Sequence, residues 1–204
     1  PVVCGGIDFH SGGNAAKFVA TSFLCTWADT SIYRKSVELA DALQAPYMYV
    51  VDGTKSPTGF DPMAHAQNVP FISNELGGGG IDREAIRIGY RGARKVLEYF
   101  SLIAPSEHTD KPEHTIYLDA VNGAGGVLAP FEGLFEAQFD VGDEIETGQT
   151  AGILYSLDEV DRPPKELLFT DSGIVCVKHV TARVVHGSDI CRPAKPISRD
   201  QILA

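Results

Sequence analysis

Apolar positions follow two different periods along this chain. Up to about residue 100, short apolar runs alternate with helically spaced segments. Residues 2–10 read as a buried strand with Gly5-Gly6 as a bulge, and Ser11-Gly12-Gly13-Asn14 reads as a turn. Residues 15–27 are open to either assignment, with FVATSFLCTW fitting a strand. Residues 30–43 space Val37, Leu39, Ala40 and Leu43 along one helical face, with Asp29 or Thr30 as cap. A strand over 47–51, a loop over 52–57, a helix over 61–68 with Pro62 at its first position and a strand over 71–76 follow. Residues 82–100 form the clearest helical pattern, with Asp82 at its start. Its expected apolar face is Ile86, Tyr90, Ala93, Val96, Leu97 and Phe100. Alternating strands and helices point to an α/β domain over residues 1–103.

The period then changes. Residues 104–114 are polar and carry two prolines, and read as a linker. From 115 to 204 the apolar runs are short, separated by turn residues and almost without helical period, which predicts an all-β barrel or sandwich domain. That half contains a faint repeat. Gly133-Leu134-Phe135 precedes VGDEI at 141–145, and Gly173-Ile174-Val175 precedes VHGSDI at 185–190. Two quasi-equivalent units account for it, and two unrelated hairpins sharing Gly-acidic turns is the competing reading.

Composition narrows the partners more than the fold. The 204 residues are 44% hydrophobic and 22% charged, an ordinary globular balance that excludes general disorder. Lys and Arg number 17 against 27 Asp and Glu, a net charge of −10. That charge repels a phosphate backbone or an anionic bilayer, so neither nucleic acid nor membrane is an expected partner. No apolar run approaches a membrane span and no secretory leader pattern opens the chain. Four scattered cysteines without a CxxC pair suggest a reducing compartment, and a cytoplasmic location is expected.

Two short segments carry candidate chemistry. In Asp8-Phe9-His10, alternation along a strand puts Asp8 and His10 on one face at the strand's C-terminal end. A neutral imidazole there is a zinc ligand by type, oriented by the carboxylate, and the Ser11-Gly12-Gly13 turn lets a ligand approach the backbone. A packed structural histidine is the competing reading. In Asn74-Glu75, a glutamate closes an apolar strand, which is costly unless the carboxylate has a partner or a task. At a zinc site that task is proton transfer, and elsewhere it is a surface strand end. Gly77 to Gly80 lack a nucleotide-binding arrangement. His65 is expected as partly exposed packing, His108 and His114 as solvated, and His179 and His186 as loop residues of the β half. The acidic run at Asp140, Asp143, Glu144 and Glu146 reads as a solvated turn, and the cysteines as small apolar packing groups.

Taken together these segments resemble a known family. IDFHSGG is similar to the DLHSGG segment of the succinylglutamate desuccinylase/aspartoacylase family, zinc hydrolases related to carboxypeptidases. VPFISNELGGGG resembles that family's glutamate-bearing strand. APFEGLFEAQFDVGDEIETGQTAGIL, RPPKELLFTDSGIV and VVHGSDI resemble its C-terminal β domain. The N-acetyl-diaminobutyrate deacetylase-like members are the subgroup most resembled. The resemblance implies the C-terminal part of a zinc-carboxypeptidase-like α/β domain followed by a small all-β domain. It implies zinc as cofactor, His10 as a metal ligand, and Glu75 as the general acid/base in hydrolysis of an N-acyl amino acid. Asp8, Ser11, Gly12 and Asn74 would support the ligand or the substrate. The family's upstream HGxE-type motif, which brings two more zinc ligands, has no counterpart here, and no other histidine is followed by Glu at the third position. Three protein ligands are the norm for catalytic zinc. The expectation is therefore a portion or subunit lacking two ligands, inactive alone, with a second chain or N-terminal fragment supplying them. A non-catalytic binding protein retaining the fold is the alternative, and a homo-oligomer is left open.

Overall fold

The computed structural model describes residues 3–27, 30–55, 59–106, 114–121, 125–159 and 161–203. The elements in chain order are β1 (Gly6–His10), β2 (Ala16–Phe18), β3 (Thr21–Thr26), α1 (Thr30–Leu43), β4 (Tyr47–Asp52), α2 (Phe60–Ala66), β5 (Phe71–Glu75) and α3 (Arg83–Tyr99). After these come β6 (Ile116–Asp119), β7 (Val127–Leu128), β8 (Gly133–Ala137), β9 (Glu144–Ile145), β10 (Thr150–Ser156), β11 (Lys165–Leu168), β12 (Gly173–His179), β13 (Arg183–Val184), β14 (Asp189–Ile197) and α4 (Arg199–Leu203). The cap expected at Asp29 or Thr30, His108 and most of the expected linker lie outside the described residues.

Among the described residues one sheet runs β1-β5-β3-β4-β6-β14-β12-β2, and a second runs β11-β10-β8-β13. β1 and β5 pair in parallel, as do β3 with β4 and β4 with β6, whereas β3 meets β5 antiparallel. This is the mixed α/β architecture with an added β layer that the sequence pattern predicts. Successive side chains alternate across the sheet. One face sends Leu24, Met48, Val50 and Ile72 against Val37, Leu43 and Val96 of the helices. The other face sends Tyr49 and Leu118 against Ile174, Cys176 and Ala194 of the β half. A third cluster, with Phe135, Phe139, Leu154 and Phe169, fills the β half itself.

Three details depart from expectation and a fourth adds to it. Gly5 and Gly6 form no bulge: Gly6 pairs directly with Phe71, whose ring would lie 2.6 Å from any Cβ there. The packed face of α3 is Ala85, Ile88, Gly89, Gly92 and Val96, while Ile86, Tyr90 and Leu97 are exposed. Close approach decides this, because a Cβ at Gly92 would lie 2.7 Å from the buried Leu43 and one at Gly89 2.8 Å from Leu76. The smallest residues, not the largest, mark that contact. β14 carries Pro193 and Pro196 and was not expected as a strand. It nevertheless joins the halves, since its end pairs β6 at Lys195 to Ile197 and its middle pairs β12 at Cys191 to Ala194. Asp140 is solvated as expected, with its side chain 56% exposed, but it is also paired, Lys17 of β2 lying 3.2 Å from its carboxylate.

The two Gly-acidic turns of the repeat are built alike, although the partner of the second is Ala129 and not the Gly133-Leu134-Phe135 run. In the first copy Gly142 N–H donates to Val175 O at 2.8 Å and Val175 N–H donates to Asp143 O at 2.9 Å. In the second, Gly187 N–H donates to Ala129 O at 2.8 Å and Ala129 N–H donates to Ser188 O at 2.9 Å. Gly142 and Gly187 both have left-handed φ, 92° and 81°.

Candidate active site

The parallel register of β1 on β5 sets Asp8 beside Ser73 and His10 beside Glu75. All four side chains project from the sheet face away from α1 and α3. His10 Nδ1 lies 3.0 Å from Asp8 Oδ2, and its Nε2 lies 3.2 Å from Glu75 Oε1. The imidazole thus bridges two carboxylates. Glu75 is only 13% exposed at its side chain. Its Oε2 is buried with no hydrogen-bond partner among the described residues. Burial pushes the Glu75 carboxyl above its ordinary range, with His10 opposing and Asp8 adding to the rise.

These groups line a cavity of about 430 Å³ shared with Phe23, Cys25 and Asp61. Asp61 comes from the first turn of α2 and accepts a hydrogen bond from Ser73 Oγ at 2.7 Å. Burial, helped by the nearby Asp61, pushes the Cys25 thiol up to about 12. Lys55 is the cavity's cation, with its Nζ 3.4 Å from Asp52. Ser73 follows from alternation with Glu75 and is legible in the sequence. Asp61 and Lys55 have no sequence signal, because α2 and the turn before it reach the cavity only through the fold.

Asn74 faces the other way. It is fully buried, accepts from Ser22 Oγ at 2.9 Å and donates to Asp8 O at 3.4 Å, so it ties β1, β5 and β3 behind the site. Ser11 and Gly12 lie in the turn after His10. Gly12 N–H donates to Gly77 O at 3.2 Å, and Leu76 N–H donates to His10 O at 2.9 Å. A Cβ on Gly12 would lie 2.1 Å from Ala16 O, and one on Gly78 2.0 Å from the same oxygen. The glycine runs let three strand ends interlock beside Glu75. His65 stacks on Trp27 at 4.4 Å, and His114 and His186 are exposed. His179 bonds Thr181 Oγ1 at 3.0 Å and, like Glu75, lines a second cavity.

Among the described residues no group of three or more His, Cys, Asp or Glu is arranged to hold a metal ion. The donor set fits one corner of a zinc site, an imidazole with a supporting carboxylate, and not a whole one.

No family model matches the chain. It is 27% identical over 186 residues to N-alpha-acetyl-L-2,4-diaminobutyric acid deacetylase of Halomonas elongata, over 90% of this chain and 54% of that protein. A succinylglutamate desuccinylase/aspartoacylase from Rhodobacter sphaeroides superposes with a TM-score of 0.84 at 27% identity, over 94% of this chain and 58% of that one. In sequence and in fold the chain is similar to succinylglutamate desuccinylase/aspartoacylase proteins. A succinylglutamate desuccinylase from a Silicibacter species shares that fold, with a TM-score of 0.85 at 24% identity over 95% of this chain and 58% of that one. The chain spans about half the length of the curated relative and under two thirds of these succinylglutamate desuccinylase/aspartoacylase structures. Among the described residues no helix is long and apolar enough to cross a membrane.

Proposed function

We propose that this chain contributes the proton-transfer group and one metal ligand of a zinc-dependent hydrolase that removes an acyl group from an N-acyl amino acid. The observation that carries the reading is Glu75. It has one oxygen on His10 at 3.2 Å, the other buried without a partner among the described residues, and a carboxyl raised by burial. Such a group takes a proton from the attacking water and delivers it to the leaving amine nitrogen, so that amide and water become carboxylate and amine. Asp8 orients the His10 imidazole from its Nδ1 side, and Nε2, which meets Glu75 Oε1 at 3.2 Å here, is the nitrogen that would turn to a bound metal. Zinc, when bound there, supplies Lewis-acid polarisation of the acyl carbonyl. Ser11 and Gly12 hold the turn after His10, and Asn74 holds the strands behind it. The substrate for which the Halomonas elongata relative is named makes N-acetyl-diaminobutyrate the first compound to try. The remaining zinc ligands come from a second chain or an N-terminal fragment.

The competing reading, a non-catalytic binding protein, draws on the donor count, which is short of three among the described residues. Elemental analysis and an acyl-hydrolysis assay on the complete assembly separate the two. The deacylase reading expects about one zinc per site, reduced by His10→Ala. It also expects turnover at least about a hundredfold lower in Glu75→Gln with zinc retained. Absence of zinc from the complete assembly, or full activity in Glu75→Gln, overturns it.

A further inference from the structure

Strands β3, β4 and β6 run parallel, and their C-terminal ends border a cavity on each face of the sheet. Neighbouring residues alternate between the two. Cys25, Val51 and Ala120 line the first cavity, and Thr26, Val50 and Asp119 line the other. This rear cavity is about 590 Å³, and among the described residues it shares no wall with the first. Tyr33 of α1 and Ile202 of α4 close it over the sheet. The carboxyl ends of parallel strands are where open α/β sheets leave room for a ligand.

One polar group in its wall is unsatisfied. Tyr33 is only 6% exposed, and its hydroxyl has no hydrogen-bond partner among the described residues. A buried hydroxyl left unpaired costs about 1–3 kcal/mol. Burial also pushes that hydroxyl up to about 12, so it keeps its proton and lacks an acceptor. Its neighbours are engaged elsewhere. Thr26 Oγ1 donates to Val51 O at 3.2 Å, Arg34 donates to Leu203 O at 3.2 Å, and Asp119 accepts from Val121 N–H at 2.9 Å. Arg34 and Asp119 are the charged side chains of the lining, one of each sign. A carboxylate or an ammonium therefore meets its own sign there, and an uncharged molecule does not. The remaining walls are apolar, from Trp27, Val50, Val121, Ile197 and Ile202. The Trp27 ring, held by its stack on His65 at 4.4 Å, offers a fixed aromatic surface.

We propose that the rear cavity binds an uncharged aromatic molecule carrying a carbonyl oxygen, which accepts from Tyr33 Oη. The proposal does not depend on the deacylase reading. An occupant touches Trp27, whose ring rests on His65 of α2, the helix that carries Asp61 into the first cavity.

Benzamide is the probe, and Trp27, the chain's single tryptophan, is the reporter. Titrating benzamide into the 204-residue chain is expected to change the indole fluorescence saturably, with the same Kd by calorimetry. Benzoate and benzylammonium are expected to bind more weakly. Tyr33→Phe keeps the ring and removes the donor. It should weaken benzamide about fivefold, as for loss of one neutral hydrogen bond, and leave toluene binding unchanged. Without ligand, Tyr33→Phe should melt no lower than the unsubstituted chain, because the hydroxyl it removes has no partner. No saturable change up to the solubility of benzamide overturns the proposal. So does equal benzamide affinity in Tyr33→Phe, or tighter binding of either charged analogue. A lower melting temperature in Tyr33→Phe does the same, since it would show the hydroxyl to be satisfied within the fold.

Discussion

Replacing Asn74 by Ala tests whether the site is held from behind. Asn74 is fully buried, and its amide joins three strands through Ser22 Oγ at 2.9 Å and Asp8 O at 3.4 Å. The first distance is ordinary and the second is long, so the two bonds together contribute about 1–1.5 kcal/mol net. Truncation also strands the Ser22 hydroxyl, itself fully buried, which costs about 1–3 kcal/mol unless it finds a new acceptor. A loss of about 2–4.5 kcal/mol follows, or roughly 4–18 °C of melting temperature at this chain length. Urea unfolding gives the first figure and calorimetry the second. Ser22→Ala removes the stranded group, so the double variant should recover about 1 kcal/mol relative to the sum of the singles. Additivity within about 0.4 kcal/mol, or an Asn74→Ala loss below 0.5 kcal/mol, would refute the view that this pair holds β1 and β5 in the register facing His10 with Glu75.

Other consequences are open to direct measurement. Glu75→Gln removes a buried carboxyl whose native pKa is raised, so the unsubstituted chain loses stability relative to the variant as pH rises from the ordinary carboxylate range through the raised value. Melting curves in chelator should therefore show the variant's advantage growing from acid to neutral pH, and a constant difference contradicts the burial argument. Gly78→Ala should destabilise the chain by about 1–3 kcal/mol or more, because φ is 137° and the new Cβ meets Ala16 O at 2.0 Å. An unchanged denaturation midpoint would disprove the interlock. Cys25 and Cys176 are pushed up to about 12 and Cys191 to about 11 by burial, whereas Cys4 is exposed. A chromogenic disulfide reagent should thus titrate one thiol rapidly and three only on unfolding. Two or more fast thiols would contradict that packing.

Much of this molecule is legible in its residue pattern because local periods report local structure. The helix at Thr30–Leu43 and the cap of α3, where Asp82 accepts from Ala85 N–H at 3.0 Å, need only neighbouring residues to specify them. Alternation likewise puts Asp8 with His10, and Ser73 with Glu75, on the face of whichever strand carries each pair. What joins the pairs is long-range: 65 positions separate His10 from Glu75, and no local period says that β1 and β5 are parallel neighbours in register. The same limit hid Asp61, which reaches the cavity on a helix, and Tyr33, which reaches the rear cavity on another. It misdirected the reading of α3, where side-chain size favoured the stripe with Tyr90 and Leu97 but close approach to Leu43 required Gly92. The chain's own pattern thus determined the elements, their order and the residue types capable of proton transfer and metal binding. Tertiary packing alone decided which of them meet, because strand pairing and helix approach depend on contacts between residues that no local spacing connects.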